Sequence, residues 1–128
     1  MQTILSRKSV IKVPTSNGTV LINMDDIIRV QAISNYSKLF FASANGRGER
    51  KTLVVAKVLR WFEENLEAEL FVRVHRTHLV NKKFISNYVN SSVHPAQGGK
   101  LCLSNGELIE VSKRKKPSFL KNWYHHAA

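Results

Sequence analysis

Four consecutive polar residues, His75, Arg76, Thr77 and His78, carry the side chains best suited to binding an anion. Arg76 supplies a planar fork of donors and Thr77 a hydroxyl, while both histidines can donate or accept hydrogen bonds. The surrounding stretch, residues 71–85, contains no acidic side chain, and apolar residues flank the four on either side. A basic tip between apolar anchors is typical of a loop that a scaffold presents to a partner. The chemistry therefore predicts an anionic partner at this tip.

The net charge supports the same class of partner. The chain has 128 residues with 20 Lys and Arg against 9 Asp and Glu, and its net charge is +11. The charge is uneven, because residues 49–70 are close to neutral whereas residues 71–128 carry ten basic and two acidic residues. A domain with one strongly basic half most often meets a polyanion. A basic protein without a polyanionic partner is the plainer alternative.

The sequence also indicates the cellular compartment and the number of domains. A single cysteine, Cys102, excludes an intramolecular disulfide and fits a reducing cytosol. No apolar run has the length needed to span a bilayer, and the N-terminus lacks the apolar segment of a signal peptide. We therefore expect one cytoplasmic domain over residues 1–128, with its core at about residues 8–120 and no contact with a membrane.

Apolar patterning predicts a mainly β fold. Two Asn-Gly pairs, Asn17-Gly18 and Asn105-Gly106, each separate two apolar runs, which is a strong hairpin signal. Strands are also predicted where apolar and polar residues alternate or where β-branched residues cluster. The expected strands are Val10–Val13, Thr19–Ile22, Ile28–Ala32, Lys38–Ala42, Val72–Val74, Ile85–Val93, Lys100–Leu103 and Leu108–Val111.

Two helices are predicted as well. Apolar residues recur at helical spacing over Val55–Leu66, with charged residues turned outward. Four of the nine acidic residues lie at the end of this helix or just beyond it, so it should pack on the sheet and face away from a polyanion. A short terminal helix is expected over Pro117–Tyr124.

Three turns beside predicted strands gather the polar and basic residues. They are the first turn, residues 34–38, the second turn, residues 75–78, and the third turn, residues 112–116. One basic turn is usually only a solvated surface. Three turns on a compact β scaffold could point the same way and follow a duplex, each reaching a groove or a phosphate.

The motifs around these turns resemble the LytTR family of DNA-binding domains, found in bacterial response regulators. The first is the apolar-Gln-Ala-x-x-Asn-Tyr-x-Lys run at Val30–Lys38, where the family usually has Glu-Ala. The second is Phe-x-Arg-Val-His-Arg-Thr-x-Leu-Val-Asn at Phe71–Asn81, in which Thr77 stands where many members have Ser. The third is Asn-Gly-Glu from Asn105, leading to Val-Ser-x-Arg at Val111–Arg114. The three motifs keep the family's order over about residues 8–120.

The resemblance implies an elongated, mainly β fold of small antiparallel sheets, with one well-defined helix and a short C-terminal helix. It also implies sequence-specific binding to double-stranded DNA, with three loops reading successive major grooves. By position, the implied base contacts are Ser37, Arg76 and Arg114. Each arginine can grip guanine bidentately, whereas Ser37 is short and the first turn can instead position the domain through Lys38. Supporting or backbone contacts are expected from Asn35, Lys38, His75, Thr77, Lys82, Lys113, Lys115 and Lys116.

The resemblance further implies direct-repeat DNA sites and a homodimer on DNA. Family members usually carry a receiver domain or membrane segments upstream, whereas nine residues precede the first predicted strand here. A free-standing domain and a fragment of a longer regulator are both open alternatives.

An RNA-binding β module is the second hypothesis. It would share the charge, but it should show exposed aromatic residues spaced along strands for base stacking. Phe40 and Phe41 are adjacent, so their side chains point to opposite faces, and Tyr36 and Tyr88 are isolated.

An enzyme or a metal site is the third hypothesis. A histidine-based nuclease would need His75 or His78 beside a carboxylate or a metal, and the nearest acidic residues in sequence are Glu69 and Glu107. A zinc site built from the histidines and Cys102 lacks recognisable ligand spacing. We therefore expect no enzyme activity, no cofactor and no metal.

Overall fold

The computed structural model describes residues 9–42, 51–90 and 98–127, and these ranges form ten strands and two α-helices. Short 3-10 turns at Met24–Asp26 and Lys82–Phe84 connect strands within this order. In chain order the elements are β1 (Val10–Thr15), β2 (Gly18–Asn23), β3 (Ile27–Ile33), β4 (Tyr36–Phe41), β5 (Thr52–Val55), α1 (Leu59–Asn65), β6 (Phe71–His75), β7 (His78–Asn81), β8 (Ile85–Asn90), β9 (Gly99–Leu103), β10 (Leu108–Val111) and α2 (Lys116–Ala127).

The strands pair into three antiparallel sheets. A two-stranded sheet contains β1 and β2, a five-stranded sheet has the order β5-β4-β3-β7-β6, and a three-stranded sheet has the order β10-β9-β8. The pairing of β3 with β7 joins the β3–β4 hairpin to the β6–β7 hairpin, although the two are far apart in sequence. The mainly β fold of small antiparallel sheets with two helices confirms the fold class predicted from the sequence.

Two apolar clusters fill the interior. The first lies between α1, the two-stranded sheet and the five-stranded sheet, and includes Ile11, Val13, Ile27, Val30, Leu39, Leu59, Phe62 and Leu79. The second joins β6 and β7 to the three-stranded sheet and α2, and includes Val72, Val74, Val80, Leu101, Ile109, Val111 and Phe119. Burial of each such side chain stabilises the fold by about 1.5–3 kcal/mol.

The β6–β7 hairpin contributes to both clusters. Because neighbouring strand residues point to opposite faces, Leu79 enters the first cluster and Val80 the second. Phe71 and Val72 divide in the same way on β6. A register shift by one residue would exchange every side chain between the faces, so burial on both sides fixes this hairpin firmly.

The helix predicted over Val55–Leu66 is shorter in the structure. Residues 52–55 form β5 instead, and Val55 pairs with Ser37 on β4. The β-branched run at Thr52–Val55 fits an extended strand, and Val58 remains extended at the N-terminal cap with no side-chain cap. Helix α1 therefore covers only Leu59–Asn65, although its apolar face is buried as expected.

Both Asn-Gly hairpins are confirmed. Strands β1 and β2 pair around residues 16–17, and β9 and β10 pair around residues 104–107. Gly18 and Gly106 have positive φ angles of 116° and 92°, a conformation that glycine adopts without steric cost. Strand β8 ends at Asn90 in the structure, and residues 91–93 of the predicted Ile85–Val93 strand lie outside the described residues.

Helix α2 is longer than the predicted Pro117–Tyr124, because it spans Lys116–Ala127. Phe119 is fully buried and its ring lies 5.8 Å from that of Trp123 in a stacked geometry. Tyr88 of β8 packs on the other side of Phe119 at 5.4 Å. These aromatic contacts hold the helix against the second cluster.

Candidate nucleic-acid interface

The second turn joins β6 to β7 and exposes Arg76 at its tip. His75 pairs with His78 across the hairpin, so both rings lie on the face of the sheet that carries Val80. Arg76 is exposed, whereas His75, Thr77 and His78 are half-buried. The Arg76 guanidinium makes no hydrogen bond or ion pair with any residue in the ranges that the structure describes. It is therefore available to a ligand.

Arg73 braces the backbone of this turn from the α1 side. Its Nε donates to the carbonyl oxygen of His75 at 2.9 Å, and its Nη2 donates to that of Arg76 at 2.7 Å. Its Nη1 donates to Glu63 Oε1 of α1, also at 2.7 Å. One guanidinium thus fixes the two carbonyl groups that set the direction of the Arg76 backbone.

On the opposite face, hydrogen bonds connect the side chains of the turn. Thr77 Oγ1 lies 2.8 Å from His75 Nδ1 and 3.1 Å from His78 Nδ1. The backbone N–H of Thr77 also donates to His75 Nδ1 at 3.2 Å. His78 Nε2 lies 3.3 Å from Nη1 of Arg29 on β3.

Arg29 forms the centre of a buried network, the Arg29 network, whose members are Arg29, Gln31, Phe40, His78 and Glu107. Arg29 is 8% exposed, and its Nε and Nη2 donate to the two carboxylate oxygens of Glu107 at 3.0 Å each. Its Nη1 donates to Gln31 Oε1 at 2.9 Å, and its guanidinium lies 3.7 Å above the Phe40 ring. Bidentate pairing of this kind is the strong form of the charged hydrogen bond.

The sequence analysis did not predict the Arg29 network, because the alternation of apolar and polar residues over Ile28–Ala32 indicates a strand with one buried face, and Arg29 and Gln31 are its polar residues. The adjacent apolar pair Ile27-Ile28 was the available signal, since it indicates burial on both faces of β3. The other signal was Glu107, one of only two acidic residues after position 70. An isolated carboxylate in a basic region indicates an ion pair with a basic side chain.

Burial in this network has an electrostatic consequence for His78. The pKa of His78 is lowered from 6.5 to about 4, first by desolvation and then by the positive charges of Arg29 and His75, against an opposing effect of Glu107. His78 is therefore neutral over the physiological range.

The first turn is tighter than expected, and Ser37 does not fit the role of a base contact. Ile33 pairs with Tyr36, so the turn itself comprises Ser34, with a φ of 55°, and Asn35. Ser37 lies inside β4, is fully buried, and donates its hydroxyl to the carbonyl oxygen of Lys57 at 2.7 Å. Because Ser37 occupies an inward-facing position of β4, its side chain points into the protein. Asn35 is exposed, as are its neighbours Ile33, Ser34 and Tyr36.

Lys82 also does not fit its expected role. It begins the 3-10 turn at the far end of β7, about 14 Å along the strand from His78. It is buried, and desolvation lowers its pKa, against an opposing effect of Glu69. A buried amine at the opposite end of the hairpin lies away from the second turn.

The third turn begins beside the second. Ser112 N donates to the carbonyl oxygen of Val74 at 2.9 Å, one residue before His75. Ser112 Oγ accepts from the N–H of Lys115 at 3.1 Å, which closes the turn before α2. Of the cations in this turn, Lys113 and Arg114 are exposed, whereas Lys115 and Lys116 are half-buried.

The first and second turns are neighbours too. Ala32 N, at the end of β3, donates to the carbonyl oxygen of Thr77 at 2.9 Å. Lys38 is half-buried, with its Nζ 5.3 Å from the centre of the Phe40 ring. The structure therefore brings the three turns together side by side, with the second turn in the middle.

Three observations bear on the alternative hypotheses. Arg29 lies over one face of the Phe40 ring, so that face is closed to a nucleic-acid base. His75 Nε2 lies 3.9 Å from Glu110 Oε1, which is too long for a hydrogen bond. Among residues 9–42, 51–90 and 98–127, no three His, Cys, Asp or Glu residues are grouped to hold a metal ion.

Comparison with known proteins decides the family. A family model described as the LytTr DNA-binding domain matches residues 17–124, a range that contains all three turns. The chain belongs to the LytTR family. The resemblance inferred from the three motifs is thus confirmed, and the LytTR assignment gives DNA binding as the activity of a domain from a transcriptional regulator.

A solved structure supports the LytTR fold. The LytTr DNA-binding domain of a protein described as a methyl-accepting/DNA response regulator from Bacillus cereus is similar to this chain, with a TM-score of 0.68. The two are 23% identical, and the alignment covers 90% of this chain and 96% of the other. Among curated proteins no match to the LytTR chain was found. No helix in the described part of the chain is long and apolar enough to cross a membrane.

Proposed function

We propose that this LytTR domain recognises a specific double-stranded DNA sequence as part of a bacterial transcriptional regulator. Its three turns would read successive major grooves along one face of the duplex. The observation that carries the proposal is the side-by-side order of the turns, tied by the bonds from Ala32 to Thr77 and from Ser112 to Val74. Exposed polar or basic side chains stand at all three: Asn35, Arg76 and Arg114.

Arg76 and Arg114 are the proposed base contacts. A guanidinium can donate two parallel hydrogen bonds to guanine O6 and N7, and each such contact discriminates by about 1–3 kcal/mol. Asn35 replaces Ser37 as the proposed reading residue of the first turn, because an exposed amide can both donate and accept.

The remaining cations suit phosphates. Lys113 is exposed, and a lysine ammonium is a flexible point charge that needs no fixed orientation. Lys38, Lys115 and Lys116 are half-buried and could add shorter-range attraction beside it. Such contacts position the domain without reading sequence.

The assembly on DNA is also a proposal. We expect direct-repeat sites occupied by two copies of the domain, in the cytoplasm where bacterial DNA lies. Two copies on the same face would require half-sites spaced by a whole number of helical turns, each of about 10–10.5 base pairs.

Selection from random double-stranded DNA followed by sequencing tests the proposal. An enriched motif, present as a direct repeat, is the expected result. Hydroxyl-radical footprinting on that motif should then show protected patches on one face, spaced by about a helical turn. A single protected patch would contradict reading in successive grooves, and equal binding to single-stranded RNA would favour the RNA-binding alternative.

The salt dependence of DNA binding tests the proposed contacts between basic side chains and phosphates. If one domain neutralises about five phosphates, the slope of log K against log salt should be about −4.5. A slope near zero over moderate salt concentrations would rule out a polyanionic partner.

A further inference from the structure

We propose that Arg29 and Glu107, which lie behind the DNA-reading surface, fix the tautomers and ring orientations of both histidines in the second turn. They would act as positioning residues, holding the second turn in one pose without touching DNA themselves. The inference rests on the proposed function for its consequence in DNA binding, but its structural part stands on the hydrogen bonds alone.

The first step follows from the chemistry of Arg29. A guanidinium has only donors, and those of Arg29 are directed by the two Glu107 oxygens and by Gln31. Its Nη1 lies 3.3 Å from His78 Nε2, so that ring nitrogen must be the acceptor. A neutral His78 then carries its proton on Nδ1.

The second step concerns the Thr77 hydroxyl, whose hydrogen bonds link the two histidine rings. The Nδ1–H of His78 donates to Thr77 Oγ1, which leaves the threonine hydroxyl proton free to donate elsewhere. Its other neighbour is His75 Nδ1 at 2.8 Å, which also accepts the backbone N–H of Thr77. Two donors converge on this nitrogen, so neutral His75 must carry its proton on Nε2.

The two histidines therefore hold opposite tautomers. His78 is an Nδ1–H tautomer turned inward, whereas His75 is an Nε2–H tautomer whose remaining donor is outside the chain of hydrogen bonds. That donor is 3.9 Å from Glu110, a carboxylate that is 71% exposed and can move aside. A phosphate oxygen is a suitable acceptor in its place, because charge-assisted hydrogen bonds to anions are strong.

The consequence for Arg76 comes from its position in the chain. Arg76 lies between His75 and Thr77, so fixing those two side chains fixes both ends of the exposed tip. Without the hydroxyl of Thr77, the link between the two rings is lost, and the turn can adopt several poses. Specific binding should suffer more than binding to random DNA, since only base reading requires one pose.

The test begins without DNA. Long-range proton–nitrogen correlations of the histidine rings identify tautomers in the free domain at neutral pH. We expect an Nδ1–H tautomer for His78 and an Nε2–H tautomer for His75. The opposite assignment for either ring in the wild-type domain would overturn the inference. In Thr77→Val only the backbone N–H still donates to His75 Nδ1, so we expect the Nε2–H tautomer of His75 to be less dominant than in the wild-type domain, and in Thr77→Ser to be retained.

The second arm measures binding of the selected duplex and a random duplex. Thr77→Val should weaken binding to the selected duplex about tenfold and binding to the random duplex less than about threefold, which is a loss of specificity. Thr77→Ser should restore wild-type specificity, and Thr19→Val, at an exposed position on β2, is the matched control. Wild-type specificity in Thr77→Val would overturn the positioning role. Failure of the wild-type domain to prefer any duplex would instead overturn the proposed function, whatever the tautomers are.

Discussion

Two arginine–glutamate pairs hold the second turn from opposite faces of the five-stranded sheet, and they differ in burial. Arg29 and Glu107 are nearly enclosed, with side-chain exposures of 9% and 15%, whereas Arg73 and Glu63 are 19% and 41% exposed. The buried pair acts on side chains of the turn through His78, and the open pair acts on backbone carbonyl groups. Both pairs should therefore help to hold the turn in one pose, but the buried pair should contribute far more to the stability of the fold.

The largest effect on stability should appear when Glu107, the carboxylate of the buried pair, is removed. Removing one partner of a buried ion pair leaves an uncompensated charge, which typically costs 3–5 kcal/mol. We expect Glu107→Ala to lower the free energy of unfolding by about 3 kcal/mol in urea titrations. Glu110→Ala, which removes an exposed carboxylate from the neighbouring strand, should change it by less than about 0.5 kcal/mol. Equal losses would show that the Arg29–Glu107 pair is not a structural tie.

The buried side should also carry a pH dependence that the open side lacks. The pKa of His78 is lowered from 6.5 to about 4, so below pH 6.5 the unfolded chain takes up a proton that the folded domain does not. This contribution to stability is complete above pH 6.5 and is lost as the pH falls toward 4. Between pH 7 and 5 the loss should be about 2 kcal/mol.

His78→Gln isolates that contribution, because a glutamine amide can accept from Arg29 and donate to Thr77 without titrating. The variant should lose about 2 kcal/mol less than the wild-type domain between pH 7 and 5. The groups facing His78 are Arg29, His75 and Glu107, and all remain in the variant, so their titration cancels in the difference. Identical pH profiles would contradict the lowered pKa.

The residue that both pairs position should show its effect in specificity rather than in stability. Arg76→Ala should cost about 1–3 kcal/mol on the selected duplex and far less on a random one. Lys113→Ala should weaken both duplexes about equally and reduce the salt slope by about one. Paired titrations at two salt concentrations distinguish these outcomes. If Arg76→Ala weakens both duplexes alike, Arg76 contacts phosphate and Arg114 becomes the principal candidate for base reading.

The smallest effect is expected from the open pair. Glu63→Gln weakens the hold on Arg73 and should reduce binding to the selected duplex by about 1 kcal/mol, with little change in unfolding free energy. Glu64→Gln removes the same charge from the same helix, but its partner Arg60 is 82% exposed and lies outside the site. Both variants remove one negative charge from α1, so they differ only in the loss of the Glu63–Arg73 ion pair. Equal affinities in the two variants would show that the ion pair with Glu63 is not needed to keep Arg73 in position.

Local signals in the sequence predicted much of the fold but not its tertiary pairing. The Asn-Gly turns, the apolar face of α1 and the three motifs were readable because turn chemistry and periodicity are local. A motif position does not reveal that a two-residue turn places Ser37 inside a strand. Charge alone does not reveal that Lys82 is buried at the far end of the β6–β7 hairpin. The Arg29 network joins residues 78 positions apart, a separation that no periodic pattern spans.

The two-sided burial of the β6–β7 hairpin has a consequence for how such a domain can change its target in evolution or by engineering. Arg76 belongs to neither cluster, so the reading side chain can be exchanged without disturbing the interior. An added residue in the turn that shifts the register of β7 by one would instead move Leu79 and Val80 to the wrong faces. In a library selected for folding, substitutions at position 76 should therefore survive and single insertions beside it should disappear. If Arg76 reads DNA sequence as proposed, the domain can acquire a new operator by a substitution at this position, whereas a change in the length of the second turn is constrained by both flanking strands.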